Sequence, residues 1–324
     1  MCLPAETVYD RATTNHVADV GWQTVRGVID LKVLICLICG LFLLSSEARA
    51  DLSSSQARKA IQSMAGSSFP SSTVRVRQVR STSAEGAEAT AELQLVFRTT
   101  QHEGVWRLSE VRTGPNVWER LEFIAQAAKL ELPENECDEP SEFARTVDAT
   151  ALTTKRARCL VAALFGVTLP SDQVRIRDVS PFGLSFGSSD ASALITALVQ
   201  LDFRFAREQR GWQVAAMKIG NRDWVDVRGL SAAVDELKRL AASDELSQIA
   251  QALDSFRRDR GFFVVSDKES VLIDHLSPQY LTRVIRVDPW HRPYQYEGQQ
   301  TQYSLRSLGP DGKPNTGDDI VVQR

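Results

Sequence analysis

The chain is short of the groups that catalysis draws on. Only four histidines occur in 324 residues. No phosphate-cradling glycine run, His-Glu-x-x-His helix or zinc-ligand cluster is present. His275 follows Asp274, but neither it nor His102 nor His291 can be tied to a serine or cysteine nucleophile. No catalytic or organic-cofactor residue is therefore assigned, and the chain is expected not to be an enzyme. Charge of one sign is also missing: 38 basic against 41 acidic residues leave a net −3. With no long basic run, a nucleic-acid partner is not expected. The one long apolar run, Val33 to Leu44, covers 12 residues, where a membrane-spanning helix needs about 20.

That run follows Lys32 and leads to Ala48-Arg49-Ala50, the order of a secretory signal peptide cut after Ala50. The expectation is export to the periplasm or beyond, with no stable membrane span after cleavage. No lipobox precedes Cys36 or Cys39, so no lipid anchor is expected. The stretch before Asp30 is polar and long for a signal, which points to a true start at Val25 or Val28. Beyond Ala50 only Cys137 and Cys159 remain, in a compartment that permits disulfides. Either they pair, which at a separation of 22 residues is worth about 3 kcal/mol in the loop-entropy model, or they stay as two thiols.

The rest of the chain is built on a duplication. "SQARKAIQSMAGSSFPSSTVRVRQV" matches "KRARCLVAALFGVTLPSDQVRIRDV" at an offset of 100 residues, Pro70 falling on Pro170. After an insertion around "PFGLSFGSSD" the offset becomes 106: "QLVFR" matches "QLDFR", Trp106 matches Trp212, and Trp118 matches Trp224. Each copy reads as a helix and three strands. Ala57, Ala60, Ile61 and Met64 share a helical face, as do Ala157, Leu160, Val161 and Leu164. Leu93, Leu95 and Phe97 alternate inward, as do Val199, Leu201 and Phe203. The paired tryptophans are expected in the cores, an exposed binding pair being the alternative. Arg75, Arg77, Arg175 and Arg177 alternate with inward residues and so face solvent. An ordinary solvated face is the expectation for them, a basic stripe for an acidic partner the alternative.

The predicted organisation is α+β: a signal segment over 1–50, module copies over 51–130 and 153–242, an acidic linker over 131–152, and a third region over 243–324. In that region Leu246, Ile249, Leu253 and Phe256 form a helical stripe. Ser243 or Asp244 is available to cap it and Gly261 to end it. Short β-like runs with Pro, Gly and aromatics follow, reading as a small hairpin-rich sheet.

Here the chain resembles the C-terminal domain of the major, G-type pseudopilin of type II secretion systems, over about Asp244 to Val322. The residues that carry the resemblance are Asp259-Arg260-Gly261, Asp288-Pro289-Trp290, Pro293-Tyr294, Ser307-Leu308-Gly309 with Asp311-Gly312, and Gly317-Asp318-Asp319-Ile320. There are departures. The apolar helix with which a pseudopilin builds its filament is not matched here. His291 stands where the family has glycine, and Phe262-Phe263 replaces Tyr-Pro. Histidine tolerates a left-handed backbone better than most residues, so the turn at 291 is expected to survive.

The resemblance implies calcium in the last loop, and the residue types suit it. Calcium takes 6–8 oxygens from carboxylates, carbonyls and water. Asp311, Asp318 and Asp319 offer carboxylates, while Gly309, Gly312 and Gly317 let the backbone turn its carbonyls inward. By resemblance Leu308 offers a carbonyl, and Asn315 or Thr316 adds a further oxygen. A solvated turn is the alternative, since Asp-Gly and Asn-Thr-Gly are ordinary turn formers. The expected role is structural or interactive, with secretion-system or envelope proteins as partners. A stand-alone, calcium-stabilised binding module is the alternative, and a hydrolase with its site between the two copies the more remote one.

Overall fold

The computed structural model describes residues 51–102, 105–130, 132, 137, 152–181, 191–220 and 222–324. The expected signal peptide and most of the acidic linker lie outside the described residues.

Each copy opens on a capped helix. Ser53 precedes α1 (Ser54–Gln62); its hydroxyl accepts from the Gln56 N–H and its own N–H donates to the Gln56 side-chain oxygen, a reciprocal capping box. In the second copy Thr153 caps α3 (Thr154–Phe165), and Gly166 closes it at φ 64°. After each helix a proline, Pro70 or Pro170, starts a one-turn 3-10 segment that feeds a strand. The first copy then runs β1 (Val74–Ser81), β2 (Gly86–His102), β3 (Val105–Gly114), β4 (Val117–Arg120) and helix α2 (Leu121–Ala128). The second runs β5 (Val174–Pro181), β6 (Ala191–Glu208), β7 (Gly211–Ile219) and β8 (Trp224–Asp226). Each copy thus carries a fourth short strand that the pattern did not reveal.

The two copies complete one antiparallel sheet of eight strands. β2 pairs with β6 along nearly their whole length, and Leu93 lies opposite Val199. These two residues are 106 apart, so equivalents face each other and the duplication becomes a pseudo-twofold axis through the sheet. Around that axis large residues meet small ones: Leu95 faces Ala197 and Leu201 faces Ala91, while Phe203 faces Ala89. β1 and β3 share the outer edge of β2, and β5 and β7 share that of β6. On the inner face α1 and α3 cover the inward residues of both central strands, giving one core. Phe97 and Phe203 are fully enclosed there, each worth about 1.5–3 kcal/mol by burial alone.

Arg75, Arg77, Arg175 and Arg177 stand exposed on the opposite face, as expected. The tryptophans divide. Trp106 is core, and Trp212 packs half-buried against it. Trp118 and Trp224 are not core: they lie half-buried on the outer face under Arg98 and Arg204, whose guanidinium carbons sit 4.4 and 4.0 Å from the ring centres. That cation–π pair is itself duplicated, and it satisfies the ring faces without enclosing them. Cys137 and Cys159 are joined, with Cα atoms 5.6 Å apart, which ties the linker to α3.

The third region hangs on α4 (Val227–Arg260), a single helix of 34 residues. Its cap is Asp226, whose carboxylate accepts from the Gly229 N–H, so Ser243 and Asp244 lie inside the helix instead of starting it. The start follows from the repeat: Val227 is the equivalent of Leu121, the first residue of α2. Gly261 ends the helix at φ 84°, as expected. The second half of α4 contributes Leu246, Ile249, Leu253 and Phe256 to a second core with Phe263, Tyr296 and Leu305. That core includes α5 (Glu269–Leu276) and a three-stranded antiparallel sheet of β9 (Gln295–Gly298), β10 (Tyr303–Ser307) and β11 (Ile320–Gln323), with β10 central. The first half of α4 lies along α2, and buried Lys238 reaches Glu119 at 2.7 Å.

Candidate functional site

The motif residues of the third region meet around one buried carboxylate. Asp288 is 1% exposed. One of its oxygens accepts from the N–H groups of Trp290 at 3.0 Å and Arg292 at 2.9 Å, and the other from the Ser307 hydroxyl at 2.7 Å. The Asp-Pro-Trp turn is thereby fastened to the Ser-Leu-Gly segment, 19 residues later. His291 sits in that turn at φ 63°, so histidine does hold the left-handed position. Pro293-Tyr294 connects the turn to α4: the Tyr294 hydroxyl donates to Glu245 at 2.7 Å, and Arg283 also donates to Glu245. Burial, with the Glu245 carboxylate second, pushes the Tyr294 phenol far above its ordinary range. The Trp290 indole donates to Asp235 on the first half of α4. Tyr280 donates to Asp259 beside the helix end.

The acidic loop leaves β10 at Ser307 and enters β11 at Ile320. Gly309 and Gly312 take φ 58° and 67°, as a turning backbone requires. A Cβ at Gly309 would stand 2.4 Å from the Asp318 carbonyl oxygen, so no other residue fits there. Gly317 is not left-handed.

The predicted ligand residues form two neighbouring groups. In the first, Asp318 accepts from the Asp311 N–H at 3.0 Å, and the Thr316 hydroxyl reaches Asp318 at 2.7 Å and Asp311 at 3.3 Å. The Thr316 hydroxyl, then the Asp311 N–H, hold the Asp318 carboxyl below the usual carboxylate value. In the second, Asp319 accepts from the Asn315 N–H at 2.8 Å, and Arg306 lies against both residues. Leu308 gives its carbonyl to the Gly312 N–H.

Sequence reasoning missed two arginines here. Arg306 is one; Arg292 is the other, donating to the carbonyls of Gly309 and Pro310 beneath the loop. Gly312 makes room for it, since a Cβ there would stand 2.6 Å from the Arg292 guanidinium carbon. Arg292 reaches the loop through the tertiary fold, and Arg306 through the pairing of β10 with β11, so neither belongs to the loop's own pattern.

Among the described residues no three His, Cys, Asp or Glu side chains gather as a metal-ligand cluster. A calcium ion in this loop would therefore rely on carbonyl, amide and hydroxyl oxygens beside its carboxylates. One observation fits such an ion: the second oxygen of Asp319 is buried without a hydrogen-bond partner. A buried carboxylate oxygen left bare is costly and suits a cation.

A groove between the two copies also collects ionisable groups, namely Arg80, Glu88, Asp202 and Lys218, beside Trp224. Three of them are tied up with neighbours. Glu88 bridges Arg80 and Arg204, and Asp202 accepts from Thr90 at 2.6 Å. Among the described residues no serine, cysteine or histidine lines the groove.

The C-terminal fold is thus a helix packed on a small antiparallel sheet, closed by an acidic loop that an Asp-Pro-Trp turn holds in place. Residues 230–323 match the family model of type II secretion system protein G. The match covers under a third of the chain. No curated protein and no solved structure matches.

Proposed function

We propose that this is an exported, non-enzymatic protein of the type II secretion apparatus, with a structural or interactive role. The observation that carries the reading is the coincidence of the family match with the network on Asp288. The residues that carry the family resemblance, Asp288 and Ser307 among them, are those that fasten this region together. In this reading the signal segment directs export to the periplasm or beyond, and the partners are secretion-system or envelope proteins. The duplicated sheet presents the C-terminal region, and α4 joins the two. The test is affinity capture of the tagged chain from native envelopes in calcium.

The loop closes on calcium in this reading. Asp311, Asp318 and Asp319 would supply carboxylate oxygens, the Leu308 backbone its carbonyl, and Asn315 or Thr316 a further oxygen. The bare oxygen of Asp319 supports it. Calcium at 100 times its dissociation constant adds about 2.7 kcal/mol to the folded state. The melting temperature is expected to rise in millimolar calcium, and Asp318→Ala to remove the rise. Melting indifferent to calcium in the parent chain would defeat this part of the proposal.

One observation favours the second reading, a stand-alone calcium-stabilised binding module. A pseudopilin builds its filament with a long apolar helix. Here the helix of the matching region starts at Val227, directly after β8, and packs against α2. Among the described residues no helix is long and apolar enough to cross a membrane.

A further inference from the structure

The pseudo-twofold axis divides the outer face of the eight-stranded sheet into two equivalent halves, and their charges differ. In the half built on β1, the start of β2 and the end of β6, every cationic row has an acid. Arg75 lies opposite Glu92, Arg80 opposite Glu88, and Lys218 opposite Asp202. Arg77 bonds Glu92 at 2.6 Å.

In the other half most of the cations are kept, Ser180 standing for Arg80, and the three paired acids are replaced, leaving Glu110 and Asp178 as the acids there. Arg175 and Arg177 replace Arg75 and Arg77, and Arg112 stands for Lys218. The equivalents of Glu88, Glu92 and Asp202 are Leu194, Leu198 and Val96. Arg175 is now opposite Thr196, and Arg177 is opposite Leu194. Arg107 joins them opposite Thr100. Arg98 alone is neutralised, by Glu110. Arg107, Arg112, Arg175 and Arg177 are exposed, and among the described residues none of them forms an ion pair with an acid. An arginine-rich sheet face with aliphatic side chains between the guanidinium groups, on a chain of net charge −3, is not a generic solvated surface.

We infer that this half-face docks an acidic polypeptide segment whose carboxylates alternate with aliphatic side chains. Guanidinium groups bind carboxylates through two parallel hydrogen bonds. Residues two apart on a strand recur about 6.5–7 Å along one face, the repeat of an extended peptide. Leu194, half-buried between the arginine rows, offers apolar contact to the residues between the acids. A membrane surface fits less well, because Val96 and Thr196 are buried at the sheet surface and offer nothing to insert.

The test uses the full chain and a fluorescently labelled peptide of glutamate, leucine and glycine, read by anisotropy. Arg175→Glu with Arg177→Glu is expected to weaken binding about tenfold or more, the scale of losing charge-assisted pairs. The equivalent change in the neutralised half, Arg75→Glu with Arg77→Glu, is expected to leave binding within about threefold. Arg107→Glu with Arg112→Glu is a second pair for the same face, should the first fail to fold. The parent should also lose affinity as salt rises. Equal losses in the two halves, no binding of the peptide, or capture by phosphatidylglycerol vesicles in its place would each overturn the inference.

Discussion

Replacing Asp288 by alanine removes the single side chain that joins the Asp-Pro-Trp turn to the Ser307 strand. Its carboxylate takes two backbone N–H groups and one hydroxyl, all within 2.7–3.0 Å. Hydrogen bonds to a charged acceptor contribute about 1.5–3 kcal/mol each, and a donor left bare in the interior costs a further 1–3 kcal/mol. These terms do not add fully, because water can reach part of a collapsed site, so a loss of about 3–5 kcal/mol is expected. Asp288→Asn keeps an acceptor for the two N–H groups, and the Ser307 hydroxyl can turn to accept from the amide. That variant should lose only about 1 kcal/mol. Urea unfolding followed by tryptophan fluorescence and circular dichroism measures both. If α4 joins the two cores into one cooperative unit, the two probes shift together; if not, the loss is confined to one transition. An alanine variant as stable as the parent, or an asparagine variant as damaged as the alanine one, refutes the reasoning.

Two further predictions bear on the remainder of the fold. Reduction of the Cys137–Cys159 bond, or Cys159→Ser, should lower stability by about 3 kcal/mol, read from the urea midpoint; an unchanged midpoint contradicts it. Acid should loosen the outer sheet face and the loop. Glu88 is held below the ordinary carboxylate value by Arg204 and then Arg80, and Asp318 by Thr316 and then the Asp311 N–H. A lowered folded value gives stability that is present above the unfolded value, about 4.3 for Glu and 3.9 for Asp, and is lost as pH falls through the folded one. Glu88→Gln should therefore flatten the fall in urea midpoint below about pH 4.3, whereas parallel curves for variant and parent contradict the assignment.

How much was legible in the sequence follows from what is local. The duplication showed in two constant offsets, and the inward residues of both copies showed in helical and strand periods. Gly261 and His291 were readable because a left-handed backbone selects few residues. The joining of the copies was not readable, because pairing Leu93 with Val199 depends on which strand edges meet. α4 was read only in its second half, where Leu246 to Phe256 repeat cleanly. Its first half buries Lys238 and Ala242 beside Val227 and Val234, a face too polar and too small to give a hydrophobic period. Trp118 and Trp224 misled because a large aromatic suggests a core, whereas an arginine stacked on each ring lets it sit at the surface. In the loop the acids and glycines were evident, but Arg292 reaches it from 17 residues before Gly309, and Arg306 on the strand that feeds it gave no sign of folding back onto Asn315 and Asp319.

The central claim is that residues 230–323 bring this chain to the type II secretion apparatus. Affinity capture from native envelopes, with and without millimolar calcium, tests it most directly. The account predicts that secretion-system components are recovered with the parent chain in calcium and are lost with Asp318→Ala. Recovery of envelope proteins without any secretion component, in either condition, contradicts it and leaves the stand-alone binding module as the better reading.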